Sequence, residues 1–180
     1  MDLPNFRLRD LNINDVESIA ENANNINVSK NLRDRFPNPY TAKDALEFIE
    51  TFIPSFAGKV FGIDVEGRAV GTIGFHIEQD EYRTNAELGY WLGEPYWNRG
   101  IITAAIKLVV RYIFENHEIN KIYAKVYDYN KVSSIVLVKN GFKLEARLVN
   151  NVLKFGRYTD ELIDRKSTRL NSSHDQTPYA

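Results

Sequence analysis

The sequence predicts a mixed α/β domain: one mixed sheet covered by helices on both faces, in the order β-α-α-β-β-β-α-β-α-β-β. Three observations predict it. Strand-like runs cluster mid-chain around a hairpin signal, and one long amphipathic segment sits between two such runs as a single crossover. The third is bulk composition: 180 residues, 43% hydrophobic, 26% charged and 12% aromatic, enough for one domain with a real core.

Phe6 and Leu8 alternate with Arg7 and Arg9, which predicts a first strand over residues 6–11. Asn14-Asp15-Val16-Glu17 reads as a capping box, and Val16, Ile19, Ala20 and Ala23 then recur at helical spacing. A second helix begins at Thr41, with Ala45, Phe48, Ile49 and Phe52 as its stripe. Between the two helices, Pro37 and Pro39 exclude a continuous helix and leave a turn with aromatics that could border a cleft.

Residues 60–65 and 69–78 form a hairpin about Glu66-Gly67-Arg68, and a third strand follows at 86–92. A long helix runs from about Gly100 to Asn116, with Ile102, Ile106, Val109 and Ile113 on one face. A strand over 121–127, a short helix over 132–139 ending at Asn140-Gly141, and strands over 142–148 and 152–163 complete the domain. Residues 1–165 are assigned to it. Residues 166–180 are polar, patternless and resemble adapter readthrough, so they are set apart as a tail.

A formal net charge of -1 gives no field to hold a polyanion, so nucleic acid is not expected as a ligand. With no cysteine there are no disulfides or thiolate metal sites, which suits the cytoplasm. No targeting or membrane segment is read, and the scattered His76, His117 and His174 predict no metal site.

Chemistry concentrates in residues 87–105, read as strand, turn and helix. Unpaired N–H groups at a helix opening make residues 98–103 (Asn98, Arg99, Gly100, Ile101, Ile102 and Thr103) a ready pyrophosphate site. A strand-to-helix turn with a Gly often binds nothing, so the neighbouring residues matter.

Gly89-Tyr90-Trp91-Leu92 followed by Tyr96-Trp97-Asn98-Arg99-Gly100-Ile101-Ile102-Thr103 resembles the coenzyme A pyrophosphate loop of GNAT acetyltransferases as Rim-type members write it. Asn130-Lys131-Val132-Ser133, with Leu137, Lys139 and Gly141-Phe142, resembles that family's second signature, and residues 36–41 its early Pro-Tyr-Thr loop. The likeness covers residues 6–163 in order.

The resemblance implies the GNAT fold, acetyl-CoA as cosubstrate and an amine acceptor. It implies a fourth strand splayed from the fifth, where Tyr90, Trp91 and Leu92 would pair with pantetheine like an added strand. Asn130 would lie beside the pantetheine arm. Ser133 would protonate the leaving thiolate, against a plain capping role, and a backbone N–H near Leu88 would serve the oxyanion. Glu87 is the candidate base, against an ordinary exposed strand acid. Ribosomal-protein serine acetyltransferases carry a glutamate base where Val152 stands here; Ile102 and Asn98 replace a small residue and a glycine.

Without that glutamate an already neutral amine is favoured. An α-amine of pKa ~7.7–8.0 is roughly a tenth neutral at pH 7, whereas a lysine amine near ~10.4 is almost wholly charged. The expectation is acetylation of a protein or peptide N-terminus by a monomer or homodimer. The alternatives are a small-molecule amine acetyltransferase, favoured by an acidic cleft around Glu78, Asp80 and Glu81, and an acetyl-CoA-binding sensor. Tyr40, Tyr90, Trp91, Tyr96 and Trp97 are read first as core and second as acceptor lining.

Overall fold

The computed structural model describes residues 5–167. Strand β1 (Arg7–Arg9) is shorter than its alternation suggests. The capping box sits two residues earlier than expected: Asn12 Oδ1 accepts from the Asn14 N–H, Asp15 accepts from the Asn12 N–H, and a 3-10 turn leads into α1 (Val16–Ala23). Asn25 caps a short helix absent from the sequence expectation, α2 (Ile26–Ser29). Thr41 and Asp44 form the box that opens α3 (Ala42–Glu47), which continues through a π-type turn, Phe48–Phe52, into α4 (Ile53–Ser55). Ala45 and Ile49 are buried, while Phe48 and Phe52 stack on each other half-buried.

The remaining elements are β2 (Gly58–Val65), β3 (Arg68–Ile77), β4 (Asn85–Leu92), α5 (Ile101–Asn116), β5 (Lys121–Tyr127), α6 (Lys131–Lys139), β6 (Lys143–Lys154) and β7 (Arg157–Ser167). The expected break over 149–151 is a bulge inside β6, where the register shifts between Leu148 and Val152 and Asn150 takes φ 52°. The actual turn is Phe155-Gly156, two residues with φ 50° and 72° that close Lys154 on Arg157. An Asn-rich cluster imitates a turn because Asn tolerates positive φ in bulges as well as in turns. β7 continues two residues past the expected boundary, pairing Lys166 with Ile122 and Ser167 with Lys121; the rest of the assigned tail, and His174, lie outside the described residues.

The seven strands lie in the order β1-β2-β3-β4-β5-β7-β6, and every pairing is antiparallel except β4 with β5. α5 covers one face, where Ile106, Val109 and Ile113 meet Ile73, Phe75, Leu88 and Ile122. Ile102 is only half-buried at the helix start, and Ile101 and Ala105 take the inward positions instead. α1 and α3 cover the other face around Ile19, Tyr40, Ala45 and Ala69, with Trp91 packed against them.

Candidate active site

The parallel ladder between β4 and β5 has only three rungs: Asn85 to Lys121, Ala86 to Ile122 and Glu87 to Tyr123. Beyond Glu87 the strands part, since β4 stays paired with β3 through Leu92 while β5 follows β7 to Tyr127. The result is a wedge-shaped gap with Glu87 and Tyr123 at its apex.

Main-chain direction decides which groups face that gap. The Glu78 N–H donates to Asn85 O at 3.0 Å and the Gly93 N–H to Val70 O at 2.8 Å, on one continuous register. Opposed residues on an antiparallel ladder alternate in bonding, so odd-numbered β4 residues turn their main chain to β3 and even-numbered ones to the gap. Trp91 therefore bonds across to β3, and Leu88, Tyr90 and Leu92 face the gap. The Leu88 N–H belongs to the Glu87–Tyr123 rung, and the Leu92 carbonyl accepts from Trp97 Nε1 at 2.7 Å. The open donor nearest Leu88 is thus the Tyr90 N–H. A strand's side chains alternate likewise: Tyr90 lies on the α5 face, Glu87 and Trp91 on the α1 face.

At the wide end, the turn into α5 is anchored from behind. Glu94 accepts from Asn25 Nδ2 at 2.6 Å and Asn27 Nδ2 at 3.1 Å, bonds that hold its carboxyl below the usual range. A Cβ on Gly93 would meet Asn22 Oδ1 at 2.1 Å, so only glycine allows this approach. Asn98 (φ 60°) and Gly100 (φ 75°) then bring the chain round in left-handed conformations. Gly100 caps α5 without a side-chain bond, and the first return bond runs from the Ala104 N–H to Gly100 O. The N–H groups of Ile101, Ile102 and Thr103 precede it and aim out of the positive end of a 16-residue helix. Residues 98–100 are exposed, and Arg99 lies over the Tyr96 ring at 5.3 Å. This turn fits a pyrophosphate.

Asn130 caps α6, its Oδ1 accepting from the Ser133 N–H at 3.3 Å, so the cap is Asn130 and the Ser133 hydroxyl has another partner. That partner is the Tyr90 hydroxyl, 2.7 Å away across the gap. Burial pushes the Tyr90 phenol up to about 12, the bond to Ser133 opposes this, and Asp164 adds to it.

On the opposite face Glu87 Oε1 accepts from Arg33 Nη2 at 2.6 Å, while Oε2 has Lys125 Nζ at 3.7 Å. Arg33 belongs to the segment after α2, which is clasped from the far strands: Lys154 Nζ donates to Leu32 O (2.7 Å) and Asp34 Oδ1 (2.5 Å), and the Tyr129 hydroxyl donates to Lys30 O (2.5 Å). The sequence carried no signal for Arg33, Lys125 or Lys154, because none stands near the site's motifs. Val152 sits opposite Thr159, which donates to Asp128 Oδ1. Glu78 accepts from the Tyr123 hydroxyl, and Asp80 and Glu81 lie before β4, at the closed end of the wedge. Glu78 thus stands beside the apex residue Tyr123, while Asp80 and Glu81 are exposed in a 3-10 turn.

Of the aromatics, Tyr40 is buried and Trp91 packs with it and Phe36; Tyr90, Tyr96 and Trp97 pack against the main core. Among the described residues no group of three or more His, Asp or Glu side chains could hold a metal ion, and no helix is long and apolar enough to cross a membrane.

The model of the Acetyltransferase (GNAT) domain matches residues 5–143. The chain is 30% identical over 146 residues to YoaA, an uncharacterized N-acetyltransferase of Bacillus subtilis (strain 168), covering 78% of this chain and 81% of that protein. It is 33% identical over 90 residues to the ribosomal-protein-serine acetyltransferase of Escherichia coli (strain K12), a match spanning half of each chain and in line with the Rim-type likeness. A GNAT-family acetyltransferase structure from Bacillus anthracis superposes with TM-score 0.79 over 90% of this chain and 94% of that one, at 22% identity, a likeness of fold. With the splayed β4–β5 gap and the N–H-lined turn into α5, these matches make the chain a member of the GNAT family, an acyltransferase whose cosubstrate is acetyl-CoA.

Proposed function

We propose that this enzyme acetylates the α-amine of a protein or peptide N-terminus by direct attack within a ternary complex. One observation carries the reading: Glu87 stands at the apex of the gap on one face, while the Ser133 hydroxyl stands on the other. Acetyl-CoA supplies the thioester. Residues 98–103 would hold its pyrophosphate, and the Leu88 carbonyl and Tyr90 main chain would align its pantetheine arm. The amine approaches from the α1 face, its nitrogen bonds to the carbonyl carbon, and the carbon–sulfur bond breaks. The amine proton passes to Glu87 directly or through a water, the thiolate takes one from Ser133, and the Tyr90 N–H is the nearest main-chain donor for the oxyanion.

The choice of an α-amine rests on the surroundings of Glu87. Val152 cannot accept a proton, and Glu87 shares its carboxylate with Arg33 and Lys125, so the candidate base at the apex is already paired with cations. An amine that is partly neutral at pH 7 suits this site better than one that must first be stripped of its proton.

The test is thiol release from acetyl-CoA at pH 7 with N-terminal peptides, spermidine and an aminoglycoside as acceptors. Peptide-dependent release that exceeds the others supports the reading. Faster turnover on spermidine assigns the site to small amines, and tight coenzyme binding with no release to any amine assigns it to a sensor.

A further inference from the structure

The Tyr90–Ser133 contact joins two elements that the gap otherwise separates. Tyr90 leaves β4 beyond the last rung shared with β5, and Ser133 stands in the first turn of α6. Their hydroxyls, 43 residues apart in sequence, lie at 2.7 Å. Geometry alone lets either oxygen donate, and the surroundings decide. The phenol is partly buried against the main core, and Ser133 Oγ is its hydrogen-bond partner among the described residues. A phenol is more acidic than an aliphatic alcohol and so the better donor of the two, while the serine oxygen is the better acceptor, so the phenol proton belongs on Ser133 Oγ. The phenol keeps that proton across the physiological range, because burial pushes it up to about 12. Asp164, 3% exposed and opposite Ala124 on β5, adds negative potential on the same face, and its Oδ2 makes no hydrogen bond.

A serine hydroxyl has one proton to give. If it donated to Tyr90, that proton would be spent inside the protein. If it accepts from Tyr90, its own proton is free to point into the gap. We propose that Tyr90 is a positioning residue: its hydroxyl donates to Ser133 Oγ and thereby directs the serine proton at the departing sulfur of the coenzyme. This rests on the reading of Ser133 as the group that protonates the thiolate. Tyr90 loses no proton in the step; the serine O–H bond breaks as the S–H bond forms, and the serine oxygen recovers its proton from solvent afterwards.

The experiment is steady-state kinetics of the full chain with acetyl-CoA and a peptide acceptor. Tyr90→Phe is expected to lower kcat about three- to tenfold, the worth of one orienting hydrogen bond, with KM for acetyl-CoA within about twofold of wild type. Ser133→Ala is expected to lower kcat at least as much, and the double variant no further than Ser133→Ala alone. Incorporating 3-fluorotyrosine at position 90, which keeps the side-chain shape and makes the phenol a stronger donor, is expected to raise kcat. That variant also decides the matter should Tyr90→Phe melt below the assay temperature. A Ser133→Ala defect with Tyr90→Phe at wild-type kcat, additive defects, or no rise with fluorotyrosine would overturn the proposal while leaving Ser133 in its role. Wild-type kcat for Ser133→Ala would remove the role itself.

Discussion

Arg33 Nη2 donates to Glu87 Oε1 at 2.6 Å, joining a residue of the segment after α2 to the apex of the β4–β5 gap. This pairing sets the working conditions of the candidate base, because one carboxylate oxygen is occupied and the other faces Lys125 at 3.7 Å.

Replacing Glu87 with Gln removes the proton acceptor and keeps the shape. The expected loss in kcat is about 10²-fold at pH 7 with KM for acetyl-CoA unchanged. The loss should narrow above about pH 8, where a peptide α-amine is already neutral. A pH–rate profile of both proteins checks this; a deficit independent of pH would assign Glu87 a role other than proton acceptance.

Arg9 holds a buried network at the start of the chain, donating to Asp15 at 2.7 Å through two nitrogens and to Asp64 Oδ2 at 2.5 Å. Burial alone would raise both carboxyls. Hydrogen bonds from Arg9 and the Asn12 N–H at Asp15, and from Arg9, Arg7 and the Gly67 N–H at Asp64, outweigh it and hold both below their ordinary values. The stabilisation is therefore complete above the unfolded carboxylate value of about 3.9 and is lost as pH falls through the lower folded values. Arg9→Ala leaves buried Asp15 without its cation and Asp64 with Arg7 alone, and should cost about 3 kcal/mol at pH 7. The deficit should shrink toward pH 4, where the carboxyls can take protons, and thermal melts across that range check it.

Gly100 at φ 75° needs the left-handed region, and a Cβ there would meet nothing within 4 Å. Gly100→Ala thus meets dihedral strain of about 1–2 kcal/mol rather than a clash. Relieving that strain would turn the N–H groups of residues 101–103 off their present aim. KM for acetyl-CoA is expected to rise about tenfold with kcat little changed; an unchanged KM would take the pyrophosphate off this turn.

Phe155 occupies a positive-φ position in the two-residue turn between β6 and β7, where Asn is favoured, and its ring is 67% exposed. Phe155→Asn should stabilise the protein by up to about 1 kcal/mol, less the contact of Lys154 Nζ with the ring at 5.1 Å. The readout is a rise of a few degrees in melting temperature.

Much of this architecture was legible because it is local. Alternation placed β1 and β5, helical spacing placed α5, and Asn140-Gly141 marked the end of α6 because Gly141 takes φ 80° there. Where two local signals have the same chemistry the reading slipped: the Asn-rich bulge in β6 passed for a turn, and the real turn hid behind a phenylalanine. The capping box slipped by two residues for the same reason, since Asn12 and Asn14 can both cap.

By itself the sequence determined the order of the strands and of α1, α3, α5 and α6, and the N–H-rich turn after β4, each set by the intrinsic preferences of neighbouring residues, while its likeness to a known family made Glu87 and Ser133 candidates. Only the tertiary structure decided which β4 groups face the gap, that Arg33 and Lys125 hold Glu87, that Tyr90 meets Ser133, and that Lys154 clasps Asp34 from 120 residues away. Such pairs bring together groups far apart along the chain. Their energy exists only once loop closure and the burial of the sheet have already fixed both partners in place.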